Sequence, residues 1–216
     1  MSKALKWIDN FWYHYKWTFI IVTFFLVVGI ILTVQLVTKE DYDAYIMYVG
    51  DTYIPDTMYQ DIVDSLETVV KDYDENGEIK VNFQRLGFIT DKENELAGSV
   101  NASATSYLSS MVVQPQYLYL VTPEVYEIYS DSGIFLPISE LIPNAPTEWF
   151  YDDTALLFNK MTYSRTNAGV DSLGADVLLV IKTMPYAKEG SAKYVSEKAS
   201  YEHHLDILKN MLAYGN

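Results

Sequence analysis

The sequence predicts an α/β protein in two parts: a single N-terminal transmembrane helix, then one three-layer domain built on a mainly parallel sheet of about five strands. Three observations predict this. Residues 17–38 are an unbroken run of 22 residues without a formal charge. Beyond that run, short alternating or continuous apolar stretches take turns with stretches whose apolar positions recur every three and four residues, the pattern of strands alternating with helices. Half of the 216 residues are apolar and 15% are aromatic, enough to build a core and too much for a disordered chain.

The apolar run comes first. At about 1.5 Å per residue, a helix of that length spans roughly 33 Å, against about 30 Å of bilayer hydrocarbon. Lys3, Lys6 and Lys16 precede it with only Asp9 opposing them, and Lys39, Glu40, Asp41 and Asp43 follow it. The positive-inside rule therefore predicts residues 1–16 as a cytoplasmic segment and 39–216 as an extracytoplasmic domain, at a bacterial cell surface. Thr33-Val34-Gln35-Leu36-Val37 offers no small-x-small cleavage site, so the helix is expected to stay as a signal anchor. Ahead of it, Trp7, Phe11, Trp12, Tyr13, Tyr15 and Trp17 crowd together. Trp7, Trp12 and Trp17 are the expected membrane-interface residues, because an indole has one apolar and one hydrogen-bonding edge. An interfacial helix that docks a partner is the alternative. Gly29 is the one small notch in the run, so a small-xxx-small pairing motif is not supported.

In the domain, alternation over 43–49 predicts a first strand, ended by Gly50-Asp51. Pro55-Asp56 opens a helix carrying Met58, Ile62, Leu66, Val69, Val70 and Tyr73 on one stripe. Ile79, Val81 and Phe83 alternate with polar residues as a second strand. A helix over 92–112 follows, with Leu96, Val100, Ala104, Tyr107, Leu108 and Met111 on one face. Residues 117–121 read as a third strand, and Thr122-Pro123-Glu124 reads as a helix start, the helix stopping at Gly133. A strand over 155–160, a loop over 162–174, a strand over 176–182 and a helix over 195–212 complete the chain.

The stretch 116–142 carries a strand, a short helix and then Gly133, Leu136, Pro137, Ile138, Leu141 and Ile142 in a turn. It resembles a segment of the extracellular solute-binding proteins of ABC importers, although Ser139 and Glu140 replace the usual order of the acidic pair. Residues 176–212 are similar to that family's closing segment. The resemblance, over 43–143 and 176–212, implies a single lobe on a membrane tether. Only about 33 residues separate the two matching stretches, where the family places a second lobe. No ligand residue carries over.

Charge narrows the partners. The formal net charge is −14, and with three Lys and one Asp in the first sixteen residues, −16 falls on the remainder. So acidic a surface repels nucleic acid, anionic lipid and wall polymers. The expected partners are the lipid bilayer, through the helix, and a protein in the membrane or a small-molecule ligand. Without cysteine there are no disulfides, thiolate metal sites or thiol nucleophile. Nor is there a Gly-x-Ser-x-Gly, a P-loop or a His-Glu-x-x-His, so no enzymatic activity and no cofactor are expected.

Four constellations remain. Asp72, Asp74, Asn76 and Gly77 copy the first half of a calcium loop, with Phe83 at the twelfth position where a bidentate acid belongs. Calcium held by Asp72, Asp74 and Asn76 is one reading and a helix-to-strand turn is the other. Glu202, His203 and His204 are read as solvated helix surface, since neighbouring helical residues project about 100° apart. Asp152 and Asp153, beside Trp149-Phe150-Tyr151, are candidate acids for a surface carbohydrate or wall hydrolase, one alternative to a binding protein, an accessory subunit of a membrane complex being the other. Nineteen tyrosines give either an exposed contact face or a half-buried core.

Overall fold

A computed structural model describes residues 3–37, 42–91, 93–143, 145–184 and 187–214, with side chains over 11–34 in the first helix. The chain divides into two compact units, 1–41 and 42–216.

The first unit is one helix, α1 (Lys3–Val37). Within it Phe11–Val34 is long and apolar enough to cross a membrane, with a mean hydropathy of 2.6 and nothing buried by the chain itself. The hydroxyl of Thr33 donates to the Gly29 carbonyl at 2.8 Å, so it carries no unsatisfied donor into an apolar medium. Trp12 and Trp17 are exposed, and the Trp7 side chain lies outside the described residues.

The second unit contains β1 (Ala44–Gly50), α2 (Asp56–Glu67), β2 (Val81–Gly87), α3 (Ala97–Ser109), β3 (Leu118–Val121), α4 (Pro123–Tyr129) and α5 (Ile138–Leu141). It continues with β4 (Ala155–Leu157), α6 (Thr162–Thr166), α7 (Ala168–Asp171), β5 (Leu178–Ile181) and α8 (Ala192–Ala213). The five strands form one sheet in the order β2-β1-β3-β5-β4. β1 pairs parallel with β2 and β3, whereas β5 runs antiparallel to both β3 and β4. The sheet is therefore mixed: β1, β2, β3 and β4 run in one direction and β5 runs against them, so the expected parallel sheet holds in part. Direction was hidden because Leu178–Ile181 is buried on both faces, and a continuous apolar run reads the same either way.

Side chains alternate across the sheet and build two cores. Ile46, Tyr48, Leu118, Leu120, Leu179 and Ile181 face α2 through Ile62 and Leu66, and α8 through Ile207 and Leu208. Met47, Val49, Tyr119, Val121, Leu178 and Val180 face α3 through Ala104 and Leu108, and α4 through Val125 and Tyr126. The stretch expected as a loop over 162–174 instead holds α6 and α7. They belong to the first core through Tyr163 and Val170, and polar spacing concealed them. The predicted strand over 155–160 ends at Leu157 and turns into a 3₁₀ segment, Phe158–Lys160.

Candidate functional site

β1 leads through α2 to β2 on one side, and β2 leads through α3 past β1 to β3 on the other. The winding direction thus reverses between β1 and β3, and open α/β sheets bind ligands outside the carboxyl ends of strands at such a reversal. Gly50 closes β1 there. A Cβ at this position would lie 2.4 Å from the Tyr48 hydroxyl oxygen and 2.7 Å from Thr122 Cγ2, so only glycine lets the Tyr48 ring run along the strand end. The Tyr48 hydroxyl oxygen accepts the Thr52 amide at 3.2 Å, and burial pushes its phenol pKa up.

A cavity of about 290 Å³ lies at the same strand end but on its β2 side, away from the reversal, lined in part by Tyr48, Gly50, Tyr53, Asp56, Arg85 and Gly87. Three partners orient Arg85. Its guanidinium donates to the Ile54 carbonyl and, at 2.9 Å, to the Asp56 carboxylate, and it sits 5.1 Å from the centre of the Tyr59 ring. The Asp56 side chain is 97% exposed, so this pair contributes no more than about 1 kcal/mol and opens readily. A guanidinium fork is complementary to a carboxylate or phosphate. Tyr53, 85% exposed, offers a ring for stacking at the same cavity. Sequence reasoning counted Tyr53 among the tyrosines of a possible contact face but passed over Arg85. The available signal was scarcity, since Arg85 is one of two arginines in the chain.

The calcium-like loop sits at the opposite, amino end of β1. Ligand oxygens of Asp43, Asp72 and Asp74 all lie within 4.8 Å of one another, and among the described residues this is the group of acids and histidines that could hold an ion. Asp72 accepts the Asn76 and Gly77 amides at 3.1 and 2.7 Å, and the Gly77 bond foremost holds its pKa below the usual value. Asp74 accepts the Asn76 amide at 3.1 Å and its side-chain NH₂ at 2.7 Å. Asp43 accepts the Tyr73 and Lys80 amides at 2.7 and 2.9 Å. Asn76 stays at the loop with its NH₂ on Asp74 and its side-chain oxygen accepting the Glu78 amide at 2.8 Å, and Asp43 adds a carboxylate that the sequence did not suggest. Hard oxygen donors suit calcium, which Asp43, Asp72 and Asp74 would hold. Phe83, at the twelfth position, is buried in the core and supplies nothing.

One surface expectation is corrected. His204 is 1% exposed and belongs to the interior, while its neighbour His203 stacks on Tyr73 at 4.1 Å. Of the two readings of the tyrosines, the core one holds for Tyr48 on β1, Tyr117 and Tyr119 at β3 and Tyr126 on α4, which are buried, and exposure holds for Tyr53. Asp152 is taken up by its own turn. It accepts the Thr154 and Ala155 amides at 2.8 and 3.0 Å, and the Tyr126 hydroxyl donates to it. Burial, with that bond to Asp152, pushes the Tyr126 phenol up to about 12.

No protein-family model, no curated protein and no solved structure matches the chain significantly.

Proposed function

We propose that this chain is a single-pass membrane protein whose acidic domain lies outside the cytoplasm and binds, without catalysis, a small ligand or a protein, as one solute-binding-like lobe in three layers. The observation that carries the reading is the cavity at the carboxyl ends of β1 and β2, with Arg85 and Tyr53 on its wall. The two stretches that resemble the solute-binding family also join in one sheet, Leu118 to Val121 of one pairing with Leu178 to Ile181 of the other. The residues between them contribute β4, α6 and α7 to that same unit. Capture of Asp152 by its turn further favours binding over hydrolysis.

The test is a thermal shift on the full chain in detergent micelles against carboxylates, amino acids, sugars and peptides. At a hundredfold its dissociation constant, a ligand adds about 2.7 kcal/mol, or roughly 5–10 °C for a domain of this size. The expected result is a shift with an anionic ligand that Arg85→Ala abolishes without lowering the unliganded melting point by more than a few degrees. A cooperative melt that no ligand moves removes the small-ligand site.

A further inference from the structure

We propose that His204 is an acid-sensitive clamp that fastens α8 to the head of β1, so that its protonation loosens the C-terminal helix while the sheet stays folded. The geometry is specific. Tyr45 lies one residue before β1 begins to pair with β3 at Ile46, so its amide, pointing to that side, has no strand carbonyl opposite it. The His204 ring takes the vacant place. Its Nε2 accepts the Tyr45 amide at 3.0 Å and lies 3.2 Å from the Tyr45 carbonyl, and its Nδ1 lies 2.6 Å from the Ser200 carbonyl. These partners fix one neutral tautomer, with the proton on Nδ1.

A proton on Nε2 would find the Tyr45 carbonyl, but it would also point a donor at the Tyr45 amide and orphan that group. It would place a charge in the interior as well. The surroundings offer no compensation. Lys182, beyond the end of β5, is also buried, and its ammonium donates to the Met111 and Gln114 carbonyls and sits 4.6 Å from the Tyr117 ring. Tyr117, at the head of β3, lies 5.3 Å from the His204 ring on one side and 5.5 Å from Tyr201 on the other. His203 adds a second repulsion, and from the segment after α2 Tyr73 covers His203 while Lys71 pairs with Asp206. Asp43, at the head of β1, is spent on the Tyr73 and Lys80 amides, and the Glu197 charge acts on Lys182 and Tyr117. Burial outweighs the two carbonyls and holds His204 down to about 4.

Locality follows from where α8 is attached. Its buried residues are His204, Ile207, Leu208 and Met211, whereas Val195 near its start is exposed. The clamp therefore sits at the first fully buried residue of the helix, on the side of the docked stretch nearer its exposed start, where helices open most readily. For a base whose docked pKa is depressed, docking is strongest above the free value of 6.5 and weakens as pH falls towards about 4. Between pH 7 and pH 4.5 the docking equilibrium falls roughly fiftyfold.

The experiment is hydrogen exchange by mass spectrometry on the full chain in micelles at pH 7 and pH 4.5, corrected for intrinsic rates. The expected result is a loss of about fiftyfold in protection over 200–211, with the amides of β1 and β3 changing far less. His204→Gln, whose amide oxygen can accept from Tyr45 without titrating, brings the pH response of α8 down to that of the sheet. Should that variant fold poorly, an NMR titration of the wild-type imidazole decides. Ring protonation that coincides with the loss of α8 protection supports the clamp. A ring that titrates near 6.5 with α8 still protected overturns it, as does loss of protection by α8 and sheet together.

Discussion

The Tyr163 hydroxyl donates a 2.7 Å hydrogen bond to the carbonyl of Ser65, tying α6 to α2 across 98 residues of sequence. One turn further on, a Cβ at Gly169 would lie 2.0 Å from the Asp61 carbonyl oxygen, so α7 rests with its backbone directly on α2. This contact fastens the segment between β4 and β5 to the rest of the domain.

Gly169→Ala therefore pushes α7 away from α2 and destabilises the domain by about 1–3 kcal/mol, the cost of overpacking a closed interface. Tyr163→Phe keeps the ring and removes one hydrogen bond, costing about 1 kcal/mol. Urea unfolding of both variants measures this, and equal midpoints for Gly169→Ala and wild type would contradict the close approach.

The acidic loop gives a contrast between two substitutions of the same kind. Both Asp43 oxygens accept backbone amides, so Asp43→Asn turns an acceptor into a donor facing an amide and costs about 1–3 kcal/mol with or without calcium. Asp74 is exposed, and Asp74→Asn changes stability by less than about 0.5 kcal/mol. Melting in calcium and in chelator separates the roles: an ion held by the three carboxylates gives a calcium-dependent shift that both variants lose.

Alkali unfolds this domain through its tyrosines. Burial pushes Tyr117 and Tyr126 up to about 12 and raises Tyr119 and Tyr163 beyond that. A group whose folded pKa is raised contributes stability in full below its unfolded value of 10.0 and loses it as pH climbs towards about 12. Lys182 acts in the reverse sense, since burial lowers it from 10.5 to about 8, so its contribution improves over that interval. Stability is accordingly greatest between about pH 8 and 10 and collapses above it. Denaturant midpoints from pH 7 to 11.5 test this, and Lys182→Met removes the rise on the alkaline side of pH 8.

Much of the fold was legible because its signals are local. The alternation of Ile79, Val81 and Phe83, the Thr122-Pro123-Glu124 start and the stripe through Ile62 and Leu66 each report an element whose neighbours in sequence suffice to define it. What was illegible depends on distant contacts. The antiparallel entry of β5 is settled by pairing with β3, some sixty residues away. α6 and α7 carry few apolar residues and are held by one tyrosine and one glycine against α2. The candidate site divides the same way. Asp72 and Asp74 were visible as a local motif, whereas Asp43 joins them only because β1 and β2 lie side by side. Arg85 on β2 meets Asp56 and Tyr59 on α2 for the same reason.

The side of the membrane on which the domain lies decides the proposed function, and the chain is suited to the measurement because it has no cysteine. Single cysteines at Lys6→Cys and at the exposed Ser106→Cys, probed with a membrane-impermeant maleimide on intact cells, read it without background labelling. The predicted result is labelling of Ser106→Cys in intact cells and of Lys6→Cys only after permeabilisation. The reverse pattern would place the acidic domain in the cytoplasm and contradict a surface-binding role.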